Sequence, residues 1–323
     1  MKASAVTAAV ILILVRVEIY FLAAHRLVGA ARHFASDEQT KPPHNHRDLQ
    51  RDTILSQATS QRKLTTTTPT TRKRDCGEPQ FFTTDVQLEL FKPAVTNDDL
   101  CLLMDTVEAL CLALTRANIT YFLYSGTLLG SWRHHGMVPW DDDVDIAVDF
   151  TRQTELRQAL NTLKPKFQFT ERQRVSWKFY AESAGAISAQ PWRWPFVDIC
   201  FFDESPTHVF EHDLDMFPEF VFPKEWIFPT VLRPFGRLML AAPRRTRNVL
   251  DLTYNLDECV ISHYSHRREM GKDESEVDSV LCDELSTVYP FVEHESLGTA
   301  GCNETLVMNG SVLSWLLLDG FQC

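Results

Sequence analysis

The sequence lacks a Cys-x-x-Cys pair and has few basic residues, and each of these features excludes a common class of protein. The chain has eight cysteines but no Cys-x-x-Cys pair, which argues against a zinc ribbon. Basic residues are scarce, with 32 Lys and Arg against 43 Asp and Glu and a formal net charge of −11. Residues 1–80 hold 12 Lys and Arg against 7 Asp and Glu, so the remainder holds 20 against 36. Such an acidic remainder disfavours a nucleic-acid backbone as a partner.

Large apolar side chains are rare in residues 36–80, which are rich in Thr, Pro and charged residues. Such a segment cannot bury enough surface to fold, and we predict a disordered, low-complexity stem there. Residues 1–35 are apolar by contrast, although Arg16 and Glu18 interrupt the run. They are predicted to be a cleaved signal peptide or a signal anchor. A buried soluble helix is the alternative.

The most informative stretch of the chain is an acidic run that follows Pro139 and Trp140. An EF-hand loop does not fit, because its glycine position is Ile146 and its closing glutamate position is Arg152. Carboxylates on one strand face repel one another unless a hard divalent cation lies between them. A metal site is therefore predicted, with a solvated acidic loop as the alternative. As a strand, the run directs two sets of side chains to opposite faces: Val144, Ile146 and Val148; and Asp141, Asp143, Asp145 and Asp149.

Two elements are predicted just before this run. A helix is expected from Asn97, as its cap, to Arg116, because apolar residues recur there at helical spacing. A short aromatic strand from Tyr121 to Tyr124 then enters a tight turn at Ser125. Gly126 and Gly130 bracket that turn, where a backbone with little side-chain bulk can approach a ligand closely.

The segment SGTLLGSWRHHGMVPWDDDVDIAV resembles the signature of the LicD family, which contains bacterial phosphocholine transferases and animal fukutin and fukutin-related protein. The resemblance covers roughly residues 95–255 and is specific in 121–149. It implies an α+β fold over residues 81–323, with a nucleotidyltransferase-like mixed sheet flanked by helices. It also favours the signal anchor, since lumenal animal relatives are anchored in this way.

A further strand is predicted at 194–203, with Asp198 inside an apolar stretch. A buried carboxylate needs a partner, and a salt bridge to an arginine is one possibility. In the LicD pattern, a third acidic residue on a neighbouring strand completes the metal site, and Asp198 matches that position.

The resemblance implies a metal-dependent transferase that moves a phospho-alcohol, such as ribitol phosphate or phosphocholine, from a CDP-linked donor to a glycan or glycoprotein. Mg²⁺ or Mn²⁺ is the expected cofactor. A Golgi glycosyltransferase using its Asp-x-Asp for a nucleotide sugar and a non-catalytic glycan-binding relative are the alternatives. The candidate catalytic residues and metal ligands are Asp143, Asp145 and Asp198. The candidate donor-binding residues are Gly126, Thr127, Gly130, Ser131 and Arg133. Four further arginines are candidate phosphate contacts: Arg233, Arg237, Arg244 and Arg245.

Cysteines and sequons indicate the compartment. An even number of cysteines behind a signal segment permits disulfides, expected mainly among the C-terminal cysteines, whereas Cys101, Cys111 and Cys200 could be buried thiols. Asn-x-Ser/Thr sequons at Asn118, Asn303 and Asn309 are consistent with a lumenal chain. We therefore expect a lumenal domain on the Golgi or ER membrane, or a secreted one if the N-terminal segment is cleaved.

The polar stretch from Ser262 is predicted to be an irregular or helical surface, and no chemistry is assigned to 282–323.

Overall fold

The structure is a computed structural model, and part of the chain is described in it. The described residues are Cys76, 88–172, 176–213, 220–319 and Cys323. The predicted N-terminal segment and, apart from Cys76, the predicted stem lie outside these residues, so both stay predictions. Among the described helices, none is long and apolar enough to cross a membrane.

Helices and strands alternate along the first half of the described chain, and strands dominate the second half. The helices are α1 (Asn97–Arg116), α2 (Ser125–His134), α3 (Gln153–Asn161), α4 (Lys224–Ile227) and α5 (Thr246–Thr253). The strands are β1 (Tyr121–Leu123), β2 (Val144–Asp149), β3 (Phe167–Thr170), β4 (Trp177–Ala186), β5 (Arg193–Glu204), β6 (His208–Glu211), β7 (Val221–Pro223), β8 (Val231–Phe235), β9 (Leu238–Ala242), β10 (Glu258–Val260), β11 (Tyr264–Ser265), β12 (Met270–Gly271), β13 (Ser279–Leu281), β14 (Phe291–Ser296), β15 (Gly301–Met308) and β16 (Ser311–Asp319).

A seven-stranded mixed sheet forms the centre of the fold. Its main path runs β1-β2-β5-β4-β3, and β6 joins β5 to β7. Strands β2 and β5 are parallel, whereas the other pairs in this sheet are antiparallel. Their register places Asp145 opposite Asp198. The predicted α+β architecture with a central mixed sheet is therefore confirmed.

Helix α1 packs its apolar stripe against this sheet. Leu103, Val107 and Leu110 are fully buried, as the helical spacing predicted. The predicted cap at Asn97 is wrong by one residue. Thr96 caps the helix, because its Oγ1 accepts a hydrogen bond from the Asp99 backbone N–H at 3.3 Å.

The predicted glycine turn after β1 is wrong, because the segment forms the helix α2. Its glycines serve close packing within the protein. A Cβ on Gly130 would lie 2.4 Å from the Gly136 carbonyl oxygen, and one on Gly126 would lie 2.8 Å from the Asp141 Oδ2. Two glycines lower intrinsic helix propensity, but tertiary packing overrides so weak a preference.

A C-terminal antiparallel sheet of β14, β15 and β16 packs one face toward α2 and β8. Arg233 Nη1 donates to Glu304 Oε1 at 2.7 Å, and both side chains are fully buried. His135 Nε2 lies 2.8 Å from the same carboxylate. Arg233 is thus committed to an internal ion pair and is not a phosphate contact.

Three disulfides join Cys76 to Cys101, Cys259 to Cys282 and Cys302 to Cys323. The expected C-terminal pairing is confirmed. The interpretation of Cys101 as a buried thiol is wrong, whereas Cys111 and Cys200 are free thiols, as that interpretation requires.

The glycine packing gives a testable prediction. Gly130→Ala should lower the free energy of unfolding by about 1–3 kcal/mol, because the new methyl group meets fixed backbone atoms. Chemical denaturation would measure the change. Gly136→Ala is the matched control, since the nearest atom to its Cβ would be the Gly236 backbone nitrogen at 3.6 Å. Equal stabilities for the two variants would contradict the assigned role of Gly130.

Candidate active site

Three carboxylates converge where β2 and β5 run side by side. Single oxygens of Asp143, Asp145 and Asp198 all lie within 4.8 Å of one another. Asp145 and Asp198 are opposite each other in the parallel register, and Asp143 lies in the loop just before β2. The sequence predicted this grouping, and the structure brings the three side chains together.

The alternation predicted for the acidic run holds only within β2. Val144, Ile146 and Val148 are fully buried on one side of the strand. Asp141 and Asp143 precede the strand, so the loop rather than the pleat directs their side chains. The alternating buried side chains exclude a solvated loop at β2. The strand is shorter than the run predicted from Asp141, because it begins at Val144.

Burial and mutual repulsion act together on these carboxyl groups. Burial raises the pKa of Asp143 well above its usual range, and the negative charges of Asp145, Asp141 and Asp198 raise it further. Burial likewise raises the pKa of Asp145, with Asp198 and Asp141 adding to the shift. A cation among these oxygens would offset the repulsion, so the donor set fits a hard divalent ion.

Asp198 has two polar partners inside the protein. Lys178 Nζ donates to its Oδ2 at 2.8 Å, and Ser176 Oγ donates to its Oδ1 at 2.7 Å. The Lys178 ammonium is buried as well, lies 3.4 Å from Glu269 Oε1 and sits 3.9 Å from the centre of the Phe196 ring. The salt bridge considered from the sequence therefore exists, but with a lysine, and it coexists with the carboxylate cluster.

His266 is a site residue that the sequence interpretation missed. Its Nδ1 lies 3.3 Å from Asp143 Oδ2 and 3.9 Å from Asp198 Oδ2. The stretch expected to be irregular or helical is mostly irregular, with a short 3-10 helix at Glu274–Glu276, and it also contains the short strands β11 and β12. One histidine in a polar stretch carries no periodic signal, so the sequence offered nothing that would have singled it out.

Asp142 fixes the segment that carries His266. Its carboxylate accepts hydrogen bonds from the backbone N–H groups of His266 and Arg267, at 3.1 and 3.0 Å, and from Ser265 Oγ at 3.0 Å. The Trp194 indole N–H donates to the Asp142 carbonyl oxygen at 2.7 Å. The two consecutive aspartates therefore have different roles. Asp142 holds the segment that carries His266, and Asp143 is part of the carboxylate cluster.

Helix α2 contributes at its N-terminal end. Thr127 Oγ1 accepts a hydrogen bond from the Asp145 backbone N–H at 2.7 Å, which ties the helix to the acidic strand. Ser125 Oγ and the Tyr254 hydroxyl are 3.0 Å apart beside it. Gly126 lies against the Asp141 carboxylate. Of the predicted donor-binding residues, Gly126 and Thr127 therefore lie next to the carboxylate cluster.

The remaining residues of that predicted set make internal contacts. Arg133 Nη2 donates to the carbonyl oxygens of Asn255, Leu256 and Glu258, each at 2.8 or 2.9 Å. Ser131 Oγ donates to the Pro234 carbonyl oxygen at 2.8 Å and is fully buried. Gly130 packs against backbone, as described above. These contacts assign Gly130, Ser131 and Arg133 to the support of α2 rather than to a ligand surface.

A further acidic group, Glu211, lies near the cluster on β6. The Tyr124 hydroxyl donates to Glu211 Oε2 at 2.8 Å. Burial raises the pKa of Glu211 to about 7, although the Tyr124 hydrogen bond opposes the shift. Its charge also raises the pKa of Asp145. The sequence interpretation did not single out Glu211, which lies on a short strand 87 positions after Tyr124 in the chain.

Part of the chain matches a known family of protein domains. Residues 118–245 match the family model for the LicD/FKTN/FKRP nucleotidyltransferase domain. This match confirms the resemblance to the LicD family that the sequence motifs indicated.

Three relatives illustrate the range of the match. The chain is 32% identical over 123 residues to an uncharacterised protein of Rickettsia prowazekii, covering 36% of this chain and 43% of the relative. It is 27% identical over 157 residues to the mouse ribitol 5-phosphate transferase FKRP, covering 47% and 31%. A 44-residue segment is 48% identical to the lipopolysaccharide cholinephosphotransferase LicD of Haemophilus influenzae, covering 14% and 16%. The chain thus spans less than half the length of each of these relatives.

The raised pKa values predict how the metal-free protein responds to pH. A carboxyl whose pKa is higher in the folded than in the unfolded state stabilises the fold at low pH, and this stability is lost as pH rises through the folded pKa. With a chelator present, the melting temperature should therefore be lower at the upper end of a pH series than just above the ordinary carboxyl pKa of about 4. Asp145→Asn should reduce that slope and raise the melting temperature at the upper pH by about 2–4 °C for each ~1 kcal/mol of relieved repulsion.

The matched control is Asp149→Asn, on the same strand but outside the carboxylate cluster. It should leave the pH slope close to that of the wild type. Scanning calorimetry in chelator would measure both variants. A lower melting temperature for Asp145→Asn than for the wild type at the upper pH would contradict a repulsive cluster.

Proposed function

We propose that the chain is a metal-dependent transferase that moves a phospho-alcohol group from a CDP-linked donor to a glycan or glycoprotein. The convergence of Asp143, Asp145 and Asp198 within 4.8 Å is the observation that carries the proposal. The LicD-family match over 118–245 supports this reaction class, because two matched relatives are named as a ribitol 5-phosphate transferase and a cholinephosphotransferase.

In this proposal, Asp143, Asp145 and Asp198 hold a divalent cation, Mg²⁺ or Mn²⁺. Oxygen-only ligands suit these hard ions, and the raised carboxyl pKa values indicate an excess of negative charge at the cluster. When bound, the ion neutralises donor phosphates and the charge that develops during phosphoryl transfer. The Lys178 ammonium adds a fixed positive charge next to Asp198.

The N-terminal end of α2 is the proposed contact for the donor phosphates. The N–H groups of Ser125, Gly126 and Thr127 belong to the first turn, where a helix has no intrahelical acceptors and its dipole favours anions. This replaces the predicted glycine loop with a helix terminus, and it retains Gly126 and Thr127 from the predicted donor-binding set.

The acceptor hydroxyl must lose a proton as it attacks the phosphorus atom that carries the alcohol, and CMP leaves. Asp198 is oriented for contact with the reacting groups by Ser176 and Lys178, and in the proposal it either holds the ion or receives this proton. His266, which faces both Asp143 and Asp198, is positioned to hold these carboxylates or to shuttle a proton.

A lumenal location in the secretory pathway is part of the proposal. Three disulfides support an oxidising compartment, where such bonds form and persist. A membrane anchor in residues 1–35 stays a prediction from the sequence.

Ligand-induced thermal shifts would test the site. CDP-linked alcohols should raise the melting temperature only with Mg²⁺ or Mn²⁺ present, and Asp143→Asn combined with Asp145→Asn should abolish that metal-dependent shift. Asp149→Asn is again the control that should keep it. A double variant that retains every metal-dependent shift would place the site elsewhere.

Product analysis would test the reaction. Incubation with a CDP-alcohol and a glycan acceptor should release CMP in a metal-dependent manner. Release of UDP or GDP from nucleotide sugars would identify a glycosyltransferase instead. Absence of metal-dependent nucleotide binding would favour a non-catalytic relative.

A further inference from the structure

The C-terminal sheet of β14, β15 and β16 has two unlike faces. On one face, Cys302 and Glu304 are fully buried, and Leu318 packs on the core. On the other face, large apolar side chains are open to solvent. Trp315 is 71% exposed and Leu317 is 45% exposed. Exposed apolar side chains grouped on one face indicate that something covers them.

The strand register places a sequon on this open face. Asn303 is opposite Leu317, and Thr305 is opposite Trp315. Directly opposed residues on an antiparallel pair project to the same face with their Cβ atoms about 5 Å apart. Asn303 and Thr305 are the first and third residues of Asn303-Glu304-Thr305, the sequence required of an N-glycosylation acceptor.

We propose that Asn303 carries an N-linked glycan that lies over Trp315 and Leu317. The C–H faces of sugar rings pack well on an indole, and sugar hydroxyls keep the outer surface hydrated. The inference rests on the proposed lumenal location, which the three disulfides support and where such glycans are attached, but it does not rest on the proposed transferase activity.

The attachment is compatible with the local hydrogen bonding. In the transfer, Asn303 Nδ2 attacks the anomeric carbon of an oligosaccharide held on a lipid diphosphate. The N–C bond forms, the C–O bond to the diphosphate breaks, and Nδ2 loses one of its two protons. The remaining proton can still be donated to Glu295 Oε2, which lies 3.3 Å from Nδ2.

Charge on the same face favours a glycan over a second copy of the chain. Glu295 is opposite Asn303, and Glu293 is opposite Thr305, so two carboxylates lie on the same face, on the strand that borders the sequon on the side away from Trp315 and Leu317. A protein interface over this face would remove both carboxylates from water, which is costly without paired cations. A glycan leaves them hydrated.

Asn309 provides an internal comparison. It lies with Gly310 in the turn between β15 and β16, and both residues have positive φ, 47° and 70°. A glycan at Asn309 would project from the end of the hairpin, so it would not shield Trp315 and Leu317.

The test uses the full chain expressed in eukaryotic cells. Peptide mass spectrometry after enzymatic deglycosylation in ¹⁸O water should show the mass label at Asn303. Thr305→Ala should lose one glycan, and Thr305→Ser, which preserves the sequon, should keep it. Removing the glycan from the folded wild type should increase binding of a hydrophobic dye, and Trp315→Ser should suppress that increase. Ser311→Ala, which removes only the Asn309 sequon, should leave dye binding unchanged.

Unmodified Asn303 in the protein from these cells would overturn the proposal. Equal dye binding before and after deglycosylation would overturn the covering role of the glycan. A stable dimer that forms with or without the glycan and is lost in Trp315→Ser would show that a second copy covers the face instead. Enzymatic deglycosylation of the folded wild type keeps the test decisive if Thr305→Ala fails to fold.

Discussion

Repulsion among carboxylates is the interaction around which the rest of this structure is arranged. The parallel pairing of β2 with β5 holds Asp145 and Asp198 side by side, and the loop before β2 adds Asp143. Without a compensating positive charge, these three carboxylates would repel one another and destabilise the pairing of β2 with β5. The fold restrains them with a buried ammonium at Lys178 and with the histidine at position 266. Both groups leave the carboxylates close together, and a cation-binding site requires that closeness.

The surrounding elements can be understood as supports for that arrangement. Thr127 ties the first turn of α2 to β2, and Arg133 at the other end of the helix gathers three carbonyl oxygens from the segment that follows α5. Asp142 holds the strand-turn segment with His266 over the cluster. The same helix therefore presents one end to the candidate site and uses the other as an anchor.

The sequence predicted the elements whose signal is periodic or local. The apolar stripe of α1, the alternation within β2 and the apolar stretch around Asp198 in β5 were each sufficient to predict an element and its buried side. Two kinds of feature were not predictable in this way. The helix α2 contains two glycines whose purpose, close packing on Gly136 and Asp141, depends on segments that meet only in the folded chain. His266 and Glu211 reach the cluster from distant positions and without periodicity, so local reasoning could not find them.

The buried pair of Arg233 and Glu304 has a consequence for how this chain can diverge. Glu304 also contacts His135, but the paired charge of Arg233 sits directly on it, and breaking a buried ion pair by removing one partner costs about 3–5 kcal/mol. Replacement of both by apolar residues of similar volume can be nearly neutral. Positions 233 and 304 should therefore covary among related sequences. This covariation would link the β8–β9 hairpin to the C-terminal sheet across 71 residues of chain.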